Sequence, residues 1–422
     1  MSDAFNSLSS SDALSLVHQF GTPLFLIERQ SLLARYQEFS QAIIRHTSNG
    51  ILAYSYKTNP LSGLIRLLHD QGAWAEVVSE DEYKLARSQQ IPGSRIIFNG
   101  PVKSDQALER AIRDKAIINI DHFEELDRLN HLGQMQGITI PVGLRVMVED
   151  HDNAWDRFGF SLTSGDFADA VRWIAQQPGV TLKGLHSHIG TNIRDLTRFH
   201  HLANSLAEAR ILAREYNNDE LDWIDVGGGL AGISPRWEDP QHDPYAAIEI
   251  NDYLDQFKPL FQAVPHSTQI FFEPGRTLVD ACGGLLSQVQ AVRFQNKHQA
   301  VYIMDAGINT TPTVSTYRHP IRVVDRQASN SEPQEAGLLA TRLLGPSCMN
   351  HDILYQDVNL PPLRRGDLIL INGLGAYNAS RAVPFIHLRP GAVLWCGTDI
   401  TPRWLRRPET FEHSQQLERE AD

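Results

Sequence analysis

Residues 51–60 read ILAYSYKTNP, an apolar run that ends at Lys57 and is stopped by a threonine, an asparagine and a proline. The run predicts a buried strand. A lysine at the tip of such a strand is unusual, because an ammonium group is costly to remove from water without a partner. One interpretation is a strand-end lysine whose head reaches water. The other is a lysine kept reactive by its pocket, which forms an imine with a carbonyl group.

The same kind of run recurs along the chain and alternates with helical patterns. Strand-like runs lie at residues 51–57, 74–79, 95–99, 116–121, 141–148, 182–190, 223–228 and 269–274. Alternating strand–helix units imply an α/β fold with a parallel sheet. Eight such units predict a closed (β/α)8, TIM-like barrel. An open doubly wound sheet is the alternative.

The pattern changes after residue 275, where short strand-like runs are separated by glycines and prolines. This predicts a C-terminal all-β domain, sandwich-like or barrel-like, which the early strand at residues 22–28 can join. We therefore expect a barrel domain at residues 30–285 and a β domain formed by residues 1–29 and 286–422. The charged tail, residues 403–422, is expected to be a solvated helix or disordered.

Composition excludes several classes of protein. The 422 residues are 42% hydrophobic and 21% charged, which is typical of globular proteins. A net charge of -12 argues against nucleic acid or an anionic membrane as a partner. The cysteines number three and are widely spaced, which suits a reducing cytoplasm and not a disulfide scaffold. Without a signal-peptide pattern or an 18-residue apolar run, a cytoplasmic protein is expected.

Reactive and polar residues collect at the predicted strand ends, where the chemistry of such barrels lies. They are Lys57, Glu76, Asn99, Arg145, His188, Gly190, Thr191, Gly227, Gly228, Gly229, Glu273, Gly275 and Arg276. The glycine run at 227–229 is either a tight turn or a phosphate cradle, since backbone N–H groups can approach an anion there. Arg276, one strand later, adds a cationic fork for the same anion. Two adjacent signals favour the anion site.

His186 and His188 lie two residues apart on one predicted strand, so they face the same way. A metal pair is one interpretation. The other strand ends offer Lys57 and Arg145, which repel a cation, so no metal is expected and His188 is interpreted as a flat ring packed on a flat ligand. Glu273 can hold a heterocyclic nitrogen protonated. An imine-forming lysine, an anion cradle, a stacking ring and such an acid together match pyridoxal 5'-phosphate.

Six motifs carry a resemblance to a known family. They are YKTN at 56–59, GLHSHIGT at 184–191, DVGGG at 225–229, EPGR at 273–276, GPSC at 345–348 and GAY at 375–377. In this order the chain resembles the alanine racemase-like (fold type III) pyridoxal-phosphate enzymes, and within them the ornithine/diaminopimelate decarboxylase family. The similarity runs from about residue 22 to residue 396 and implies an α-decarboxylase.

The resemblance also implies roles for single residues. Lys57 would carry the cofactor, with Glu76 beside it, and His188 would stack on the pyridine ring. Glu273 would pair with the pyridine nitrogen and Arg145 would lie near the phenolic oxygen. The phosphate would be held by Thr191, Gly228, Gly229, Gly275, Arg276 and Tyr377. Cys348 would act near the reacting carbon from the partner subunit of a head-to-tail homodimer, so that active sites are shared.

The sequence departs from the family where the substrate's far end is bound. Met349 follows Cys348, where these decarboxylases have an acid that meets a distal amine. Thr313 stands where diaminopimelate decarboxylases have an arginine for the distal carboxylate. Arg318 follows Tyr317, where ornithine decarboxylases have an aspartate. A charge-assisted contact of this kind contributes roughly 1.5–3 kcal/mol, enough to redirect specificity.

These departures predict a substrate without a distal ammonium, for example a citryl–amino-acid conjugate of carboxylate-siderophore assembly. Diaminopimelate decarboxylase is the alternative. An amino-acid racemase is disfavoured by the motif around Cys348. A non-catalytic pyridoxal-phosphate carrier is disfavoured by the additional β domain.

Overall fold

The computed structural model describes residues 4–149, 157–216, 220–238, 248–296, 299–326, 337–397, 401–416 and 418. By its internal contacts the chain divides into two compact units. The first, here the β unit, comprises Met1–Leu32, Gly232–Ala247 and Thr277–Asp422, and the second, the barrel unit, comprises Leu33–Ala231 and Ile248–Arg276. The predicted domain limits, residues 30–285 for the barrel and residues 1–29 with 286–422 for the β domain, remain a prediction.

The barrel unit is built on parallel strands. They are β2 (Gly50–Ser55), β3 (Trp74–Val77), β4 (Ile96–Phe98), β5 (Ile117–Ile120), β6 (Ile140–Met147), β7 (Phe160–Ser161), β8 (Val180–His186), β9 (Trp223–Asp225) and β10 (Gln269–Phe272). Within the described residues, eight of them pair in the closed order β2-β3-β4-β5-β6-β8-β9-β10-β2, while β7 adds to β6 alone. The predicted (β/α)8 barrel is confirmed.

A helix separates each barrel strand from the next, as predicted, and further helices lie outside this alternation. The helices are α1 (Ser10–Phe20), α2 (Arg29–His46), α3 (Ser62–Asp70), α4 (Glu80–Ser88), α5 (Asp105–Asp114), α6 (Phe123–Gln136), α7 (Asp166–Ile174), α8 (Thr197–Tyr216), α9 (Ile250–Asp255), α10 (Lys258–Ala263), α11 (Arg276–Val279) and α12 (Phe411–Gln416). Side-chain caps start several of them: Ser79 accepts from the N–H of Glu82, and Ser104 from that of Ala107. None of the described helices is long and apolar enough to cross a bilayer.

The barrel is filled by side chains from its own strands. Ala53, Ile97, Trp223 and Phe271 form a buried cluster, against which three partly buried residues pack: Ile51, Trp74 and Ile117. Most strand residues are buried on both faces, as expected of parallel strands covered by helices. The strand ends are therefore fixed to one another by a rigid, apolar interior.

The β unit contains the remaining strands. They are β1 (Leu24–Glu28), β11 (Gly283–Asn296), β12 (Gln299–Met304), β13 (Ile321–Asp325), β14 (Leu339–Leu344), β15 (Ile353–Leu360), β16 (Leu368–Asn372), β17 (Gly391–Trp395) and β18 (Arg403–Arg406). Their order is β15-β14-β12-β11-β1-β17-β18, with β16 between β11 and β13. The early strand β1 pairs with β11 and β17, so the predicted all-β domain that takes in the N-terminal strand is confirmed.

Two segments outside the barrel pattern form regular structure within the β unit. The serine-rich start forms α1, whose Ser9 and Asp12 make a reciprocal capping box, and Leu16 of that helix packs into the β-unit core. The charged tail was expected to be a helix or disordered. In its described part, residues 411–416 form the helix α12, and residues 403–406 form strand β18, which pairs with β17. The sequence did not indicate this strand because Trp404, which packs against the β-unit core, lies among arginines that hide the apolar pattern.

Candidate active site

Lys57 lies in a 3₁₀ turn, Tyr56–Thr58, that follows β2 directly. The prediction placed it within the strand, which ends two residues earlier at Ser55. Its Nζ donates to Oε2 of Glu76 at 2.9 Å and to Oε1 at 3.2 Å. The Glu76 side chain is 1% exposed and that of Lys57 is 30% exposed. Glu76 therefore supplies a buried counter-charge to a lysine side chain that is partly exposed.

Three ionisable side chains from neighbouring strand ends form a buried centre. His186 closes β8, Asp225 closes β9 and Glu273 follows β10, and one ligating atom from each lies within 4.8 Å of the others. Burial raises the pKa of Asp225 well above its usual range, and the charge of Glu273 and a hydrogen bond to it raise it further. Because two adjacent carboxylates resist joint ionisation, the pair holds a proton.

His186 is neutral in this centre. Burial, and then the charge of Arg145, lowers its pKa well below the usual range. Its Nε2 lies 3.7 Å from Oε2 of Glu273, and among the described residues neither ring nitrogen has a hydrogen-bond partner. The prediction that no metal binds here remains a prediction.

Arg145 projects from β6 and is held on three sides. Its Nη1 lies 3.3 Å from Oδ1 of Asp121, and its Nη2 donates to the carbonyl of His188 at 3.4 Å. The guanidinium carbon lies 4.5 Å from the ring centroid of Phe158. Burial raises the pKa of Asp121, an effect that the Arg145 charge opposes. The guanidinium is thus a fixed cation at the barrel's carboxyl end.

His188 lies two residues beyond the end of β8, not within the strand as predicted. Its Nδ1 accepts a hydrogen bond from the N–H of Gly228 at 3.2 Å. Burial, and then the charge of Lys57, lowers its pKa well below the usual range. The ring is therefore neutral with its proton on Nε2, and the glycine loop fixes its orientation.

The glycine loop after β9 is packed closely against its neighbours. Gly227 and Gly229 have φ of 67° and 104°, the left-handed region that favours glycine. A Cβ at Gly228 would clash with the carbonyl of Glu273, and one at Gly275 with Oγ1 of Thr58. The loop therefore tolerates no side chain at these positions.

Backbone donors near this loop remain available for an anion. In the part of the barrel unit that the structure describes, the N–H groups of Gly229 and Gly275 have no hydrogen-bond acceptor. Thr191 follows Gly190 in the adjoining loop, where Ile193 donates its N–H to the carbonyl of Gly229 at 2.8 Å. These groups are what a phosphate cradle requires.

Of the other predicted site residues, Arg276 is buried at the start of α11 and belongs to the barrel unit. The remaining ones belong to the β unit. Cys348 is exposed and Met349 partly buried, in a loop that Asp352 orders by accepting the N–H of Ser347 at 3.0 Å. Tyr377 is partly buried with φ of 60°. The roles implied for these three residues remain predictions.

Thr313 is buried, and its hydroxyl hydrogen-bonds Nε2 of His319 at 2.9 Å and donates to Oδ1 of Asn378 at 2.8 Å. Tyr317 is buried within the same unit, and Arg318 donates its backbone N–H to the carbonyl of Pro235 at 2.8 Å. The specificity roles predicted for Thr313, Tyr317 and Arg318 remain predictions.

Three polar residues with no predicted role also lie at the barrel's carboxyl end. Asn99, directly after β4, donates through Nδ2 to Oε1 of Glu273 at 2.6 Å and to Oε1 of Glu76 at 3.2 Å. Asp225 lies beside Glu273, and Asp121 pairs with Arg145. In the sequence, each of these residues is the last one of a predicted strand or lies inside a quoted motif. That position is the signal that could have identified them as site residues.

A family described as "Pyridoxal-dependent decarboxylase, pyridoxal binding domain" matches residues 29–280, more than half of the chain. The chain belongs to this family of pyridoxal-dependent decarboxylases. It is a carboxy-lyase, and its cofactor is pyridoxal 5'-phosphate.

Curated relatives extend the similarity over most of the chain. The diaminopimelate decarboxylase of Zymomonas mobilis is 28% identical over 375 residues, covering 86% of this chain and 85% of that protein. The diaminopimelate decarboxylase of Aquifex aeolicus is 25% identical over 409 residues, covering 94% and 92%. A crystal structure of the diaminopimelate decarboxylase from Methanocaldococcus jannaschii superposes with a TM-score of 0.83 at 25% identity, covering 94% and 92%.

The residues of the barrel unit fit this cofactor. The partly exposed side chain of Lys57 suits its aldehyde. The N–H groups of Gly229 and Gly275, which have no acceptor among the described residues, suit its phosphate. The acid Glu273, buried beside Asp225, suits its pyridine nitrogen. A chemically matched set of three groups therefore lies at one end of one barrel.

Proposed function

We propose that this decarboxylase acts on diaminopimelate. The observation that carries the proposal is the full-length similarity to enzymes of that name, which covers at least 85% of both chains in the relatives described above. A similarity of this extent includes the β unit, where the predicted specificity residues lie. The family relationship by itself specifies only the reaction type.

We further propose how the barrel residues serve the reaction. Bound pyridoxal phosphate supplies an electron sink for the pair of electrons left when the α-carboxylate departs as CO2. Lys57 would hold the cofactor covalently, and Glu76 would keep the lysine nitrogen in place. Glu273 would pair with the pyridine nitrogen and keep a proton there. His188 would support the ring through the orientation that Gly228 gives it.

The same proposal assigns the anion-binding groups. Gly229, Gly275, Thr191 and Arg276 would hold the phosphate, and Tyr377 is assigned as a further phosphate ligand. Arg145, fixed by Asp121 and Phe158, would provide a cation for the phenolic oxygen. Cys348, contributed by a partner subunit in a head-to-tail homodimer, would act near the reacting carbon, where it or a nearby water would return the proton that replaces the carboxylate.

A second candidate is a substrate without a distal ammonium, such as a citryl–amino-acid conjugate. Two features favour it. Met349 has no charge to offer an amine, and the Thr313 hydroxyl is already bonded to His319 and Asn378 within its own unit. Neither residue therefore supplies the charged contact that the resemblance implies for its position in the family.

A substrate panel decides between the candidates. The purified holoenzyme is given diaminopimelate, lysine, ornithine and a citryl–diaminopropionate conjugate in parallel, and CO2 release is measured. Diaminopimelate decarboxylation with kcat/KM at least 100-fold above the other substrates supports the first candidate. Preference for the conjugate by the same margin replaces it with the second. A Lys57→Ala sample corrects for uncatalysed CO2 release.

A further inference from the structure

A line of hydrogen bonds between buried side chains crosses the barrel unit. It ends at Glu273 and at Glu76, the partner of Lys57. Nε1 of Trp223 donates to Oδ1 of Asn119 at 3.1 Å, and Nδ2 of Asn119 donates to Oδ1 of Asn99 at 2.9 Å. Nδ2 of Asn99 then donates to Oε1 of Glu273 at 2.6 Å and to Oε1 of Glu76 at 3.2 Å. All five residues are buried. The line links the two carboxyl groups that the proposed function assigns to the lysine and to the pyridine nitrogen.

The direction of every bond in this line is determined by one group. An amide side chain can be turned over, which exchanges its donor and its acceptor, but an indole N–H can only donate. Trp223 therefore forces the oxygen of Asn119 toward itself and the NH2 of Asn119 toward Asn99. The oxygen of Asn99 accepts the hydrogen bond from Asn119. The NH2 group of Asn99 must therefore point at Glu76 and Glu273.

Two glycines make space for the start of the line. Gly143 lies inside β6 and Gly184 inside β8, where glycine weakens a strand and marks a close approach. A Cβ at Gly184 would clash with the indole of Trp223, and a Cβ at Gly143 would clash with Oδ1 of Asn119. Both strands thus have a glycine, without a side chain, at the place where Trp223 and Asn119 form their hydrogen bond.

The orientation of Asn99 has a consequence for protons. Because its NH2 occupies Oε1 of Glu273 and Oε1 of Glu76, neither oxygen can carry a proton toward it. Glu273 is thereby held as a hydrogen-bond acceptor on the side that faces Asn99. Glu76 is likewise kept as an acceptor for Lys57. One amide thus orients the acceptor oxygens of both carboxyl groups.

We propose that Asn99 is a positioning residue for decarboxylation, set in place by Trp223 through Asn119. It touches no reacting atom and acts by holding Glu76 and Glu273 in their hydrogen-bonding states. The inference rests on the proposed roles of Lys57 and Glu273. It extends the active site to a tryptophan on the inner face of the barrel.

The test compares Asn99→Leu and Trp223→Phe with the wild type as holoenzymes. The expected result for Asn99→Leu is a fall in kcat of roughly 10- to 100-fold with KM changed less than threefold, the size of one lost hydrogen bond to a charged group. The absorbance of the Lys57-bound cofactor, titrated with pH, shifts its midpoint by at least half a pH unit. Trp223→Phe shifts both readouts in the same direction by a smaller factor.

The double variant separates a relay from two independent defects. If Trp223 acts through Asn99, adding Trp223→Phe to Asn99→Leu changes kcat by less than twofold further, whereas independent effects multiply. Asn130→Leu and Trp74→Phe are the controls. Asn130 is a buried amide whose Oδ1 accepts the N–H of Gly179, and Trp74 packs against the same barrel core as Trp223. Both controls are expected to leave the absorbance midpoint unchanged.

Three results are decisive. A wild-type absorbance midpoint in Asn99→Leu overturns the inference, even if stability falls. Equal shifts in Asn99→Leu and Asn130→Leu also overturn it, because they indicate a general loss of packing. If Lys57→Ala keeps the wild-type cofactor absorbance, the proposed role of Lys57 fails first, and this outcome is distinguishable because it does not involve Asn99.

Discussion

The Nζ of Lys57 lies 2.9 Å from Oε2 of Glu76, and the two side chains differ sharply in exposure, 30% against 1%. Asn99 hydrogen-bonds the carboxylate in the protein interior, while the lysine side chain is partly exposed. Removing one partner of a buried pair leaves the other uncompensated, which is more costly than losing an exposed pair. The pair is therefore a structural element as well as a chemical one.

Replacing Glu76 by glutamine tests this relationship in the protein without cofactor. We expect Glu76→Gln to lower the free energy of unfolding by about 1–3 kcal/mol, measured by urea titration, because the buried counter-charge is lost. Glu80→Gln is the matched control, since Glu80 and Lys84 form a 2.8 Å pair at the surface. An equal effect of both substitutions would show that burial of Glu76 is immaterial.

The glycine loop should control cofactor affinity. In Gly228→Ala the new Cβ meets the carbonyl of Glu273, a backbone atom that cannot move independently, so the loop must shift. We expect the dissociation constant for pyridoxal phosphate, measured by equilibrium dialysis, to rise at least tenfold, as for a displaced charge-assisted contact. Gly337→Ala, with open space around its Cα, serves as control. Unchanged affinity in Gly228→Ala would contradict the cradle.

Glu82 gives a pH prediction. Burial raises its pKa to about 7, an effect opposed by the hydrogen bond from the N–H of Val78 and reinforced by the charge of Glu76. Because the folded state holds this proton more tightly than the unfolded state, the contribution of Glu82 to stability decreases as pH rises from about 4.5 to about 7. Above that pH window the ionised, buried carboxylate lowers the free energy of unfolding by an amount that no longer changes with pH.

Glu82→Gln removes the penalty and keeps an oxygen for the Val78 N–H. Relative to wild type, the variant should gain stability as pH increases from 5 to 8, by at most about 3 kcal/mol. Urea titrations at four pH values measure the difference. Glu109→Gln, at an exposed position on α5, should show no such slope. A flat difference for Glu82→Gln would mean that this carboxyl group does not titrate in the window.

The residue after Cys348 should govern the choice of substrate. Met349→Glu restores the acid that the family uses for a distal amine, and we expect kcat/KM for diaminopimelate to rise roughly 10- to 100-fold if the present substrate lacks that amine. If diaminopimelate is already the substrate, the change should be less than threefold. Met349→Gln, of similar length without the charge, is the control. A fall in activity of Met349→Glu on every substrate would contradict both expectations.

The sequence predicted the barrel because its strands are buried on both faces and read as continuous apolar runs, such as IIF at 96–98. It erred by a few residues at the ends. Lys57 and His188 were placed inside strands, whereas both follow the last strand residue. These residues lie where the backbone leaves the sheet to form the site, and local propensity does not record that change.

The network behind the site was less accessible to sequence reasoning. Asn119 and Trp223 are 104 positions apart in the chain, and only barrel closure brings their side chains together. Asn99 stood out as a polar strand end, but its partners Glu76 and Glu273 come from strands on either side in the chain. Contacts of this kind depend on three-dimensional register, which no motif spacing encodes.

The central claim is that Lys57 is the residue that carries the cofactor for decarboxylation. The most direct measurement is CO2 release by Lys57→Ala reconstituted with pyridoxal phosphate, with the absorbance of the bound cofactor recorded on the same sample. Our account predicts loss of the lysine-linked absorbance band and a fall in CO2 release of at least 1,000-fold, as for the loss of a covalent catalytic group. Decarboxylation at the wild-type rate, with the band retained, would contradict it.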